Sequence, residues 1–216
     1  LAGTAKGGPA VAPVAFGTIL RAPLVWMAFT FFFFATFGFG ALQNFAPPLL
    51  QNLYGLTLTA AASALSTYLI GGACGLLIGG FLAKPGARFE GTVSMAFGAS
   101  ATLALVLAIA PVPAVLVLPA MAAMGFLAGI AGPSRDLLVR TATKARLGES
   151  AFGRVYGMVY SGLDVGLALA PIAFGMLLDN GMLRAVFVGF ALSFAGAIVA
   201  ARLLAREATR TVSQRA

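Results

Sequence analysis

Apolar residues run through this chain in long blocks at about 23–46, 58–83, 91–110, 114–133, 153–177 and 184–204. A helix needs roughly 20 apolar residues to cross a bilayer core, so the pattern predicts transmembrane helices in all six blocks. The polar positions between them are unequally shared. Lys6 and Arg21 precede the first span, and Lys84 and Arg88 follow the second. Arg135, Arg140, Lys144, Arg146 and Arg154 follow the fourth; Arg202, Arg206, Arg210 and Arg215 lie at or beyond the end of the sixth. Arg184 alone falls in the alternate set of loops. Basic loops stay on the cytoplasmic side, so both ends of the segment are expected there. Residues 1–20 then read as a cytoplasmic linker, 21–206 as the membrane bundle and 207–216 as a cytoplasmic tail.

The spans divide into two triplets of similar plan. The second member of each is rich in glycine: Gly71, Gly72, Gly75, Gly79 and Gly80 in one, Gly153, Gly157, Gly162, Gly166 and Gly175 in the other. Small residues four apart let helix backbones approach closely within a membrane. Each triplet opens on a helix with Gly-Phe and then proline, Gly38-Phe39 before Pro47-Pro48 and Gly125-Phe126 before Pro133. Opening helices that cross in opposite senses make the triplets inverted repeats, a plan shared by many secondary transporters. Pro47, Pro48 and Gly55 are expected to shape the first outer loop, and Pro111 with Pro113 the second. After the fourth span, Ser134 is expected to cap a short interfacial helix with Leu137, Leu138 and Val139 on the membrane surface. The run Phe31–Phe34 covers every face of its helix, so part of it is expected to touch lipid. The first residue is Leu1, and 1–20 is rich in Ala, Gly and Pro, which reads as a linker from something upstream.

Composition narrows the function classes. Hydrophobic residues make up 60% of the chain and charged ones 9%, against about 25% charged in soluble domains. The net charge of +8 follows from basic loops and attraction to anionic lipid, with no call for nucleic acid. There is no histidine, which removes the usual general base and most zinc sites. Cys74 is the single cysteine, so no disulfide forms within the chain. No glycine loop followed by Lys-Ser/Thr is present to hold a nucleotide phosphate. These features predict a protein that is not an enzyme and needs neither cofactor nor metal.

Asp164 is the foremost chemical candidate. It lies in the middle of the fifth span, where an ionisable group costs about 2.5–3.5 kcal/mol or more without a partner or water. Tyr156 and Tyr160 precede it by eight and four residues, which sets a polar stripe on one helix face. The stripe reads either as a proton or substrate site in a central cavity or as a structural hydrogen-bonding seam. Tyr68 sits mid-span in the second helix and either lines the same cavity or bonds a neighbouring helix. Gln43 and Asn44 read as outer-gate groups or as helix-end polar groups ahead of Pro47. Arg135 and Asp136, with Lys84 and Arg88 at the other inner loop, are candidates for a cytoplasmic gate, or else an anchor and a cap.

The string GRVYGMVYSGLDVGLALAPIAFGMLLD, Gly153–Asp179, resembles the eleventh helix of drug-efflux-like and fosmidomycin-resistance-like members of the major facilitator superfamily. AGPSRDLLVRTAT resembles the end of their tenth helix and the loop beyond. The superfamily's loop motif, Gly-x-Leu-Ala-Asp-Arg-x-Gly-Arg-Arg, is met in part by Gly80-Phe81-Leu82-Ala83-Lys84-Pro85-Gly86-Ala87-Arg88, with Lys84 where the acid belongs. The resemblance implies an all-α membrane protein, one half of a twelve-helix transporter fold, in the bacterial inner membrane. It implies alternating access by rocking halves, with the N-terminal half supplied elsewhere and a small solute, and a proton, as the cargo. An apolar, aromatic cavity with one acid favours a lipophilic or cationic solute over a sugar. Two other readings stand beside it: a membrane subunit of an ATP-driven transporter, suggested by Glu149-Ser150-Ala151 as a coupling loop, and a channel-like homo-oligomer joined by glycine faces.

Overall fold

The computed structural model describes residues 16–83, 89–110, 112–147 and 152–213. These fold into α1 (Phe16–Leu20), α2 (Pro23–Tyr54), α3 (Leu58–Leu82), α4 (Phe89–Ile109), α5 (Ala114–Leu147), α6 (Phe152–Asp179) and α7 (Leu183–Ser213). Helices α2 to α7 are each long and apolar enough to cross a membrane, in agreement with the six blocks of the sequence. The last residues of the expected linker form α1, which buries Ile19, and α7 runs on past residue 206 to Ser213.

The packing repeats across the two triplets. Helix α2 packs mainly on α6 and α7; helix α5 packs mainly on α3 and α4; α4 and α7 pack on each other. Exchanging the first triplet (α2, α3, α4) for the second (α5, α6, α7) reproduces these pairings. Three crossings separate α2 from α5, so the opening helices run in opposite senses and the repeat is inverted.

Glycine sets the closest of these pairings. On α3, Gly71, Gly75 and Gly79 lie against the carbonyls of Ala122, Phe126 and Ile130 of α5, and a Cβ on Gly79 would come within 2.6 Å of the Ile130 oxygen. Gly125 and Gly129 of α5 lie in turn against the carbonyls of Tyr68 and Gly72. Both partners advance four residues per step in the same direction, so α3 and α5 are parallel. Gly162 and Gly166 of α6 meet α2 in the same way at Phe29 and Phe33. The ladder of α6 is only partly used, since a Cβ on Gly153 or Gly157 would meet nothing within 4 Å.

Helix α2 packs on several neighbours, and its phenylalanines divide between buried and half-buried positions. Phe31 stacks on Phe97 of α4, Phe32 packs beside Tyr160 of α6, Phe33 follows the Gly166 contact, and Phe34 lies against Gly196 of α7. Phe31 and Phe32 are fully buried and the other two half-buried. Part of the run is packed inside the bundle, and Phe33 and Phe34 keep partly open faces. Phe97 and Phe194, with ring centres 4.3 Å apart, carry the core on between α4 and α7.

Two proline positions also differ from expectation. Helix α2 does not end ahead of Pro47-Pro48 but continues to Tyr54, where Gly55 closes it with φ 63°. Each proline frees the carbonyl four residues back, those of Gln43 and Asn44, at the cost of two helix hydrogen bonds. One turn on, Asn52 Nδ2 donates to the Pro48 carbonyl at 2.7 Å. Likewise α5 passes through Pro119 and Pro133 without a break. There is no separate interfacial helix: Ser134 is buried at 2% exposure inside α5, and Leu138 and Val139 are buried too. Packing of these faces against neighbouring helices offsets the lost hydrogen bonds.

Candidate functional site

A cleft of about 370 Å³ opens between α2, α3 and α5. That is within the range of about 300–1,000 Å³ typical of small-molecule sites. Along its floor the close α3–α5 seam offers only the small residues Gly72, Ala73, Ala128, Gly129 and Gly132. Phe39, Leu76, Phe97 and Phe194 add apolar walls, and Thr36, Tyr68 and Arg135 the polar groups. The Thr36 hydroxyl already lies 2.9 Å from the Phe32 carbonyl and 3.1 Å from that of Leu163, and it ties α2 to α6.

Tyr68 and Arg135 hold the unspent polar capacity. Tyr68 is buried at 1% exposure beside Phe39, with ring centres 6.1 Å apart. Its hydroxyl is buried without a hydrogen-bond partner. A buried polar group left unpaired costs about 1–3 kcal/mol, so this hydroxyl calls for a water or a ligand in the cleft. Arg135 donates through Nε to Asp136 Oδ1 at 3.1 Å. Its guanidinium lies 4.7 Å from the centre of the Phe32 ring, a geometry that favours a cation. Among the described residues, no protein acceptor meets its two terminal nitrogens.

The structure joins two groups that the sequence set apart. Phe32 touches Tyr160 at 5.0 Å, Tyr160 stacks on Tyr156 at 5.4 Å, and the Tyr156 hydroxyl points at the Asp136 carbonyl at 3.5 Å. Tyr156 and Tyr160 therefore belong with Arg135 and Asp136, where α5, α2 and α6 approach. The Arg135–Asp136 pair joins neighbours on one helix, with side chains 22% and 42% exposed.

Asp164 is exposed and is not among the residues that line the cleft. It lies about 18 Å along a helix about 42 Å long. It is also about 200° round from Gly162 and Gly166, the residues that meet α2. Its face is thus turned from α2, and it does not line the cleft that Tyr68 lines. Gln43 and Asn44 are exposed within α2 rather than at its end. Asn44 Nδ2 donates to its own helix at the Gly40 carbonyl, 2.7 Å away. Lys84 and Arg88 lie outside the described residues. Thr36, Phe97, Gly129 and Gly132 are site residues that the sequence reading did not reach. Their one linear signal is the spacing of Gly125, Gly129 and Gly132 along a single helix face.

No curated protein matches this chain. Residues 2–152 match the family model of the Major Facilitator Superfamily, from the linker through α2, α3, α4 and α5. Inverted triplets of apolar helices are what that match requires of the fold. The chain belongs to the major facilitator superfamily, whose members carry small solutes across membranes.

Proposed function

We propose that this chain is the C-terminal half of a proton-coupled transporter, most simply an exporter, in the bacterial inner membrane. Its two ends face the cytoplasm, as the basic loops favour, and an N-terminal half covers the faces it leaves bare. The cleft between α2, α3 and α5 holds the solute as the halves rock. Asp164 takes up and releases the coupling proton. The observation that carries the coupling role is an acid at mid-helix, on an uncovered face, with no protein partner among the described residues. Against hydrocarbon such a group is expensive; against a wet cleft between two halves it is tenable.

The test needs no substrate. Ala73 lines the cleft and is exposed. A protein carrying Ala73→Cys and Cys74→Ser is reconstituted in one orientation and treated with a membrane-impermeant maleimide from either side. Alternating access predicts labelling from both sides, with the ratio moved about tenfold by an imposed pH gradient. Asp164→Asn is expected to abolish that movement and leave labelling itself intact. Labelling from one side under every gradient would refute alternating access. A gradient response that survives Asp164→Asn would refute the coupling role.

A further inference from the structure

We infer that the cleft takes a flat organic anion, with its carboxylate or other oxyanion on Arg135 and its far end at the Tyr68 hydroxyl. The inference rests on the transporter reading for its purpose and on this geometry for its content. Among the described residues lining the cleft, Arg135 is the one that carries a charge. No carboxylate is among the described residues that line it, so the fixed charge of the cleft favours an anion over a cation. Asp136 sits nearby, but it engages Nε. The terminal fork of the guanidinium, the part that binds oxyanions through two parallel hydrogen bonds, stays available. The guanidinium carbon lies 4.7 Å from the Phe32 ring centre and Nε is held by Asp136, so part of the side chain's freedom is already lost before binding.

The rest of the cleft fits a thin aromatic body better than a sugar. Gly72, Gly129 and Gly132 form a floor without side chains, and Phe39 and Phe97 stand as walls. A sugar would need many hydrogen-bonding groups. Thr36 is already committed to backbone carbonyls, and Tyr68 is left as the one unpartnered buried hydroxyl lining the cleft. The backbone of Tyr68 packs at Gly125, ten residues ahead of Arg135 on α5, or about 15 Å along the helix. Arg135 and Tyr68 thus mark the two ends of the cleft lining, and an elongated two-ring body with polar groups at opposite ends is the ligand shape we infer.

Three matched naphthalenes test this by equilibrium dialysis against the purified, detergent-solubilised protein. One is a hydroxynaphthoate with carboxylate and hydroxyl at opposite ends. The second is the naphthoate without the hydroxyl, and the third replaces the carboxylate of the first by an aminomethyl group. The hydroxynaphthoate is expected to bind at least about tenfold more tightly than the amine, a difference within reach of one charge-assisted contact. Arg135→Gln should erase that preference and Arg135→Lys restore part of it. Tyr68→Phe should remove the advantage of the hydroxynaphthoate over the naphthoate and leave the anion preference standing. Monodisperse elution and a cooperative melting transition no lower than that of the parent show that each variant is folded. Equal or tighter binding of the amine overturns the inference, as does an anion preference that persists in Arg135→Gln, or no saturable binding of any probe. Dialysis measures binding at rest, so these outcomes are independent of the maleimide experiment: a protein that binds the anion yet never alternates sinks the transporter reading alone.

Discussion

At the scale of single residues, the site is built on groups whose bonding capacity is deliberately incomplete. Tyr68 is the sharpest case, because its ring is well packed while its hydroxyl is buried and unpartnered. Tyr68→Phe removes that hydroxyl and keeps the ring. The ligand-free protein should therefore gain about 1 kcal/mol, read as a higher melting temperature in detergent. No gain would mean that water satisfies the hydroxyl at rest. Arg135 shows the opposite economy. One nitrogen is spent on Asp136 and one face on Phe32, and the remaining donors stay unspent. Neither property was legible in the sequence. Arg135 and Asp136 read there as a cytoplasmic gate, or else an anchor and a cap, because nothing linear says that α2 brings Phe32 across to meet them.

At the scale of helices, glycine spacing decides which pairs come close. Gly75 and Gly80 both belong to the glycine string of α3, but the structure gives them different work. A Cβ on Gly75 would collide with the Phe126 carbonyl, while one on Gly80 would meet nothing within 4 Å. Gly75→Leu should therefore cost about 3 kcal/mol or more by overpacking against rigid backbone. Gly80→Leu should be nearly neutral. Yield and monodispersity on fluorescence-detected size exclusion check this, and equal tolerance of the two would undo the account of the α3–α5 seam. The spans themselves were readable, because length and apolarity are local properties that the bilayer dictates. So was the repeat, through the matching positions of Gly38-Phe39 and Gly125-Phe126. Helix ends were not. Pro47-Pro48 and Pro133 were read as breaks by the logic of isolated helices, whereas α2 and α5 pass through them because neighbouring helices support both sides of the interruption.

At the scale of the whole molecule, the question is what the bundle's bare faces meet. Helices α3 and α6 are the least covered, with 17% and 22% of their most apolar windows buried, against 44% for α4 and α7. Taken alone, exposed residues on all four look alike: Leu77 of α3 is 68% exposed, Ile172 of α6 60%, Met95 of α4 72% and Leu192 of α7 66%. Their surroundings differ if an N-terminal half completes the transporter. The pseudo-symmetric pairing puts α4 and α7 against each other, away from a partner that docks on α3 and α6. Cysteine substitutions at these four positions, each made in a Cys74→Ser background and spin-labelled in bilayers, separate the cases. Labels at Met95 and Leu192 should relax readily with oxygen dissolved in lipid. Those at Leu77 and Ile172 should be shielded from it several-fold. Shielding at those two positions would also explain how Asp164, on the uncovered side of α6, avoids hydrocarbon. Four equally accessible labels would place α6 against lipid, and the mid-helix acid would then lose the wet surroundings on which its coupling role depends.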